Sequence, residues 1–178
     1  MKKILLFLII FFVSRIALAQ YQPVDQGSAL TFKIGNFGFD VTGTFTGFQG
    51  SIKFDPQNLD NNNFDVSIDA TTVNTDNGLR DNHLKGDSYF DVKNYPRIRF
   101  VSGKILPSNK TGTYLVTGQL NIKGKTKEIS FPFTATLSSD GYMFKGSFKI
   151  NRKDFGVGGT STVSNELEVS LKVHAIKA

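Results

Sequence analysis

The stretch Thr75–Phe100, TDNGLRDNHLKGDSYFDVKNYPRIRF, decides the fold because it breaks the rhythm of everything around it. On either side the chain alternates apolar and polar residues, the mark of half-buried strands. Here the alternation stops. Asp76 is placed to cap a short helix, Leu79 and His83 fall four apart on one face, and Gly86 is a natural stop, so a helix is predicted over Asp76–Gly86. Tyr89-Phe90 and Tyr95-Pro96 then read as an aromatic loop leading into the next strand. One helical interruption in an otherwise all-β chain covers the opening of a barrel or closes the end of a sandwich.

Working outward, the alternating segments are Leu30–Ile34, Phe39–Phe54 and Phe64–Ala70 before this stretch, and Ile98–Leu106, Tyr114–Ile122, Ile129–Leu137, Phe144–Ile150 and Leu167–Ala175 after it. Gly35-Asn36, Pro107–Lys110, Gly124 and Ser139-Asp140-Gly141 are turn signals between them. Within the second segment Phe39, Val41, Gly43 and Phe45 share one face, whereas Phe48, Gly50, Ile52 and Phe54 have the opposite parity. A one-residue slip would turn every later side chain to the wrong side, so a β-bulge is predicted at Thr46-Gly47. Pro132 lacks the N–H that a closed ladder requires, and a second bulge is the expected remedy there. Eight strands joined mostly by short turns close most simply as an all-β, antiparallel up-and-down barrel, which removes both exposed edges; a sandwich is the alternative.

The first residues give an address. Lys2-Lys3, an apolar run from Ile4 to Val13 and Ala17-Leu18-Ala19 make a secretory signal over residues 1–19, with one mature domain over 20–178; an uncleaved anchor is the alternative. Removing Lys2, Lys3 and Arg15 lowers the formal net charge from +6 to +3. That excess is too small and too scattered for nucleic acid binding. The absence of cysteine excludes a disulfide framework, a thiol nucleophile and a cysteine-linked lipid anchor. The core must therefore hold the domain, and the chain is rich in phenylalanine to supply it.

Several motifs carry a resemblance. Arg80-Asp81-Asn82-His83-Leu84, Asp87-Ser88-Tyr89-Phe90-Asp91 and Tyr95-Pro96-Arg97-Ile98-Arg99-Phe100 resemble the central signature of the YceI-like family. Val41–Phe45 with Phe48-Gln49-Gly50, Gly118–Lys127 and Asn151–Gly158 agree with it in the same order, so that the likeness covers about Val24 to Ile176. The resemblance implies a lipocalin-like barrel that binds isoprenoids or similar long-chain amphiphiles in the bacterial periplasm. No cofactor is expected, and no stable membrane insertion is expected once the signal is cleaved. Homodimers occur in such a family, and the sequence shows no dedicated interface.

An eight-stranded barrel can be filled by its own side chains or hold one small ligand. Gly43, Gly50, Gly118 and Gly146 have inward parity, where a core built only for stability would carry branched aliphatics. Those glycines either permit sharp twist and let phenylalanine rings pack on bare backbone, or set the width of a hollow lumen; the resemblance favours the second. The lining is then Phe32, Phe39, Val41, Gly43, Phe45, Phe64, Val66, Val116, Gly118, Leu120, Phe131, Phe133, Gly146, Phe148, Val169 and Leu171. Each methylene buried there contributes roughly 0.8 kcal/mol, offset in large part by lost chain freedom.

Arg80, Asp81, His83 and Arg152 are candidates for a polar mouth that meets a head group, with arginine donors suited to phosphate or carboxylate. The competing reading is that they bond to one another and to loop backbone, pinning the helix in place. An Asp81–His83 hydrolase is the enzymatic alternative, and it lacks a serine elbow. Two histidines far apart in sequence do not make a metal site. A secreted structural domain with a solid core is the third class.

Overall fold

The computed structural model describes residues 20–159 and 163–178; the secretory signal read over residues 1–19 lies outside them. Eight strands, β1 (Gln20–Asn36), β2 (Phe39–Lys53), β3 (Asn63–Asn74), β4 (Arg97–Pro107), β5 (Thr113–Ile122), β6 (Lys125–Leu137), β7 (Gly141–Asn151) and β8 (Val163–Lys177), pair in sequence order. β8 returns to β1, so the sheet is a closed antiparallel barrel. The helical interruption is α1 (Gly78–Lys85), between β3 and β4. Among the described residues no helix is long and apolar enough to cross a membrane.

The bulge at Thr46-Gly47 is present. Thr46 pairs with Asp69 and Gln49 with Ser67, so two residues of β2 stand opposite Ile68 alone. Gly47 takes φ +74° there, and the carboxylate of Asp25 accepts the otherwise unpaired N–H groups of Gly47 and Phe48 at 2.8 and 2.9 Å. Arg97 donates to the Gly47 carbonyl at 2.8 Å from the other side. The bend is thus locked by two side chains and curls the sheet toward closure.

Three local expectations are corrected. β1 begins at Gln20, ten residues before the alternating segment, because its first half carries an irregularity between Val24 and Ala29 that erases the alternation. The first hairpin turns at Phe37-Gly38 rather than Gly35-Asn36, with both central residues at positive φ. Helix α1 is capped by Asn77, whose side-chain oxygen accepts from the Arg80 N–H, and Asp76 precedes the cap at φ 58°. Leu79 is 86% exposed and points outward, and Leu84 with Phe90 packs inward instead.

The interior divides along the barrel axis. At the end away from α1, Phe54 stands among Phe64, Tyr114, Phe133, Tyr142 and Phe144, all with ring centroids within 6.2 Å and mostly edge to face. Those rings have the edge-to-face geometry that adds to simple burial, and they stop that end of the lumen. The end beneath α1 is packed less tightly.

A roofed apolar chamber as the candidate ligand site

Two cavities lie in line inside the barrel, one of about 300 Å³ under α1 and one of about 120 Å³ toward the aromatic plug. Leu30, Ile68, Ile98, Leu120 and Phe148 line both and form a waist between them. The larger lies at the lower end of the range that small-molecule sites occupy. Its walls come from residues of β1, β2, β3, β4, β5, β7 and β8, and its roof from Leu84, Tyr89 and Phe90, with Phe155 and Val157 from the turn after β7.

Phe32, Val41, Phe45, Leu120, Phe148 and Val169 line this outer chamber. Phe64, Val66, Val116, Phe131, Phe133 and Leu171 line the inner one. Phe39 does neither. It shares the parity of Val41 but stands beyond the barrel rim at the hairpin tip, 78% exposed, so its place in the lining is withdrawn. Parity alone does not say where the barrel ends. The same parity rule, carried two residues further toward the mouth, would have found Ile122 and Ile150. Phe155 and Val157 were hidden because their segment reads as polar.

The glycines serve both readings at once. A Cβ on Gly43 would lie 2.3 Å from the Phe32 ring, one on Gly118 would lie 2.6 Å from the Phe100 ring, and one on Gly146 would lie 3.3 Å from Phe131. Rings from neighbouring strands therefore occupy the space that a side chain at each glycine would need. Gly50 has a different role: it is exposed, at φ +128°, with the Asp65 carbonyl pressed against it.

The polar residues divide as well. The Asp81 carboxylate accepts from the Thr75 N–H and hydroxyl at 2.9 and 2.6 Å, and Arg80 donates to the Thr75 hydroxyl and carbonyl, both at 2.7 Å. Together they fasten the start of α1 to the end of β3. Arg152, only 5% exposed, donates to the carbonyls of Val157, Val163 and Ser164 at 2.9 to 3.1 Å and shapes the loop that flanks the roof. His83 is exposed and packs on Tyr89 with ring centroids 4.8 Å apart. Arg80, His83 and Arg152 still reach the chamber wall; Asp81 does not. Asn36 also lines it, and its side-chain oxygen is buried without a hydrogen-bond partner. No group of His, Cys, Asp or Glu that could hold a metal ion occurs among the described residues.

Fold and site together define a lipocalin-like barrel: one antiparallel tube, stopped at one end, with an apolar chamber under a helical roof at the other. The YceI-like domain pattern matches residues 21–175, and the chain belongs to the YceI-like family. A UPF0312 protein of Photorhabdus laumondii is 30% identical over 174 residues, covering 90% of this chain and 88% of its own length. Among solved structures, Burkholderia cenocepacia BcnA superposes with a TM-score of 0.76 at 28% identity, over 82% of this chain and 94% of its own. A polyisoprenoid binding domain from Saccharophagus degradans shares the fold, with a TM-score of 0.71 at 17% identity over 91% of this chain and all of its own.

Proposed function

We propose that this protein is exported to the periplasm, with residues 1–19 removed, and there carries or sequesters a long-chain amphiphile, an isoprenoid, isoprenoid quinone or fatty acid derivative, whose apolar chain lies in the barrel. The observation that carries this reading is the chamber itself. A tube of this size can be filled by its own side chains, yet here the phenylalanines lie against glycine backbone and leave about 300 Å³ under the roof. Walls made almost entirely of Phe, Ile, Leu and Val attract hydrocarbon and offer little to read, so selectivity rests on length and width.

A polar mark does exist at the mouth. The unpartnered Asn36 oxygen is satisfied by a head group that brings a hydrogen-bond donor. Binding rather than catalysis fits the rest: Asp81, the acid of a hydrolytic pair with His83, already accepts two bonds from Thr75. The likeness to a polyisoprenoid binding domain supports an isoprenoid as the ligand to test first.

Native mass spectrometry of the protein isolated from its own host should show one bound lipid that dissociates on activation and can be identified after extraction. A protein that emerges empty, and stays empty after incubation with polyprenyl alcohols, quinones and fatty acids, would leave only an exported structural domain.

A further inference from the structure

The wall of the barrel has a break in it. Paired residues of β6 and β7 run only from Leu137–Tyr142 to Phe133–Gly146. Both strands continue, β6 paired with β5 as far as Lys125 and β7 paired with β8 as far as Asn151. Pro132 sits at the first position where the ladder fails. Its carbonyl faces β7, 3.0 Å from where a Cβ on Gly146 would stand. In an antiparallel strand a residue's N–H points the same way as its carbonyl, so the donor that proline lacks is the one this ladder required. The strands then splay around a slot of about 440 Å³.

The floor of the slot is the wall of the lumen. Ile129, Phe131 and Phe148 line both the slot and the inner chamber, while Ile150 and Phe155 line both the slot and the outer chamber. The rings of Phe131 and Phe148 lie 4.6 Å apart between slot and lumen. We infer that the slot is a second segment of the same binding site, a side exit for hydrocarbon chains too long for the lumen. This rests on the lipid-holding reading above and adds to it a ligand class: chains longer than the tube.

Two features favour such an exit. The Phe54 plug stops the far end, so a chain threaded from the roof meets a dead end after the inner chamber. The roof is also fastened. Lifting it breaks the Gly158 N–H to Ser88 carbonyl bond of 2.8 Å and uncovers Leu84 and Phe90. Turning two rings at the slot disturbs no paired residues of β6 and β7, because their register ends at Phe133–Gly146. Side-chain rotation is the cheaper and faster motion.

The test uses the absence of cysteine. Ser130 and Ser147 are exposed and stand on opposite lips of the slot. The Ser130→Cys, Ser147→Cys double variant is bridged with dithiobismaleimidoethane, a cleavable thiol linker. Each form is titrated with farnesol, a short polyprenyl alcohol, and with solanesol, a long one, by native mass spectrometry. Bridging should leave farnesol affinity unchanged and weaken solanesol at least about tenfold, with recovery when the linker is cleaved. Solanesol binding that survives the bridge overturns the side exit and leaves the lipid-holding reading intact. Failure of every form, bridged or not, to bind farnesol overturns that reading and the exit with it.

Discussion

At the scale of single residues, the polar groups that a sequence offers as a ligand-facing collar are mostly spent on the fold. His174 shows why this is hard to foresee. Its outward parity on β8 suggests an idle surface histidine, yet Nε2 lies 2.9 Å from the Asp140 carboxylate and Nδ1 lies 3.1 Å from the Gln26 carbonyl. With an acceptor on each nitrogen, the ring is fully satisfied only as imidazolium. Hydrogen bonding to Asp140, then to the Gln26 carbonyl, raises its pKa above the ordinary value near 6.5, and the same bond lowers that of Asp140 below 3.8. The sign follows from linkage. The raised histidine contributes stability that is complete below about pH 6.5 and fades as pH climbs through its folded-state value. The depressed aspartate contributes stability that is complete above about 3.8 and fades as pH falls through its own. Melting temperatures of the protein and of His174→Gln should therefore differ most in mildly acidic buffer and converge in alkaline buffer. A gap that widens with rising pH would contradict this assignment. The contact joins residues 34 and 148 positions apart, and no local pattern announces such a meeting.

At the scale of elements, alternation located all eight strands and the interruption that becomes α1, because period-2 burial is written directly into residue order. It failed where side chains leave the regular pleat. The first half of β1 was missed because its irregularity, with Gly27 at φ +81°, breaks the alternation. At Pro132 the structure differs from the expected bulge: the β6–β7 register shows none, and the ladder simply ends. A sequence cannot say which of a strand's two neighbours a proline faces. The Pro132→Val variant restores the N–H toward β7 and should let the ladder grow past Ser147. Hydrogen exchange of those amides on Ser147–Asn151 that face β6, Ser147 and Lys149 among them, is expected to slow at least about tenfold, while those already paired with β8 stay as they are. Unchanged exchange there would mean that the splay has another cause, such as the rings beneath it.

At the scale of the whole molecule, the barrel was legible and its emptiness was not. Parity assigns faces, whereas volume depends on where rings from adjacent strands come to rest, and that is decided by register. Gly118 makes the point. Its inward parity marks it as the place to fill the lumen, yet a Cβ there would lie 2.4 Å from the Val101 carbonyl oxygen, so a larger residue forces the backbone apart instead. Val41 is the better choice, since it is half-buried and faces the outer chamber. Val41→Phe places its added volume in empty space and should cost no more than about 1 kcal/mol, below the usual penalty for overpacking a filled core. Lipid retention should nonetheless drop at least about tenfold, read by occupancy after identical extraction. Full retention with unaltered stability would move the ligand out of this chamber.

The closing seam has a consequence for how the tube is made. β1 and β8 meet across separations as large as 156 positions, from Tyr21 to Lys177, so β8 is the strand that shuts the sheet. Until Val163–Lys177 is made, the sheet from β1 to β7 is open along both edges, and its closure waits on the pairing most distant in sequence.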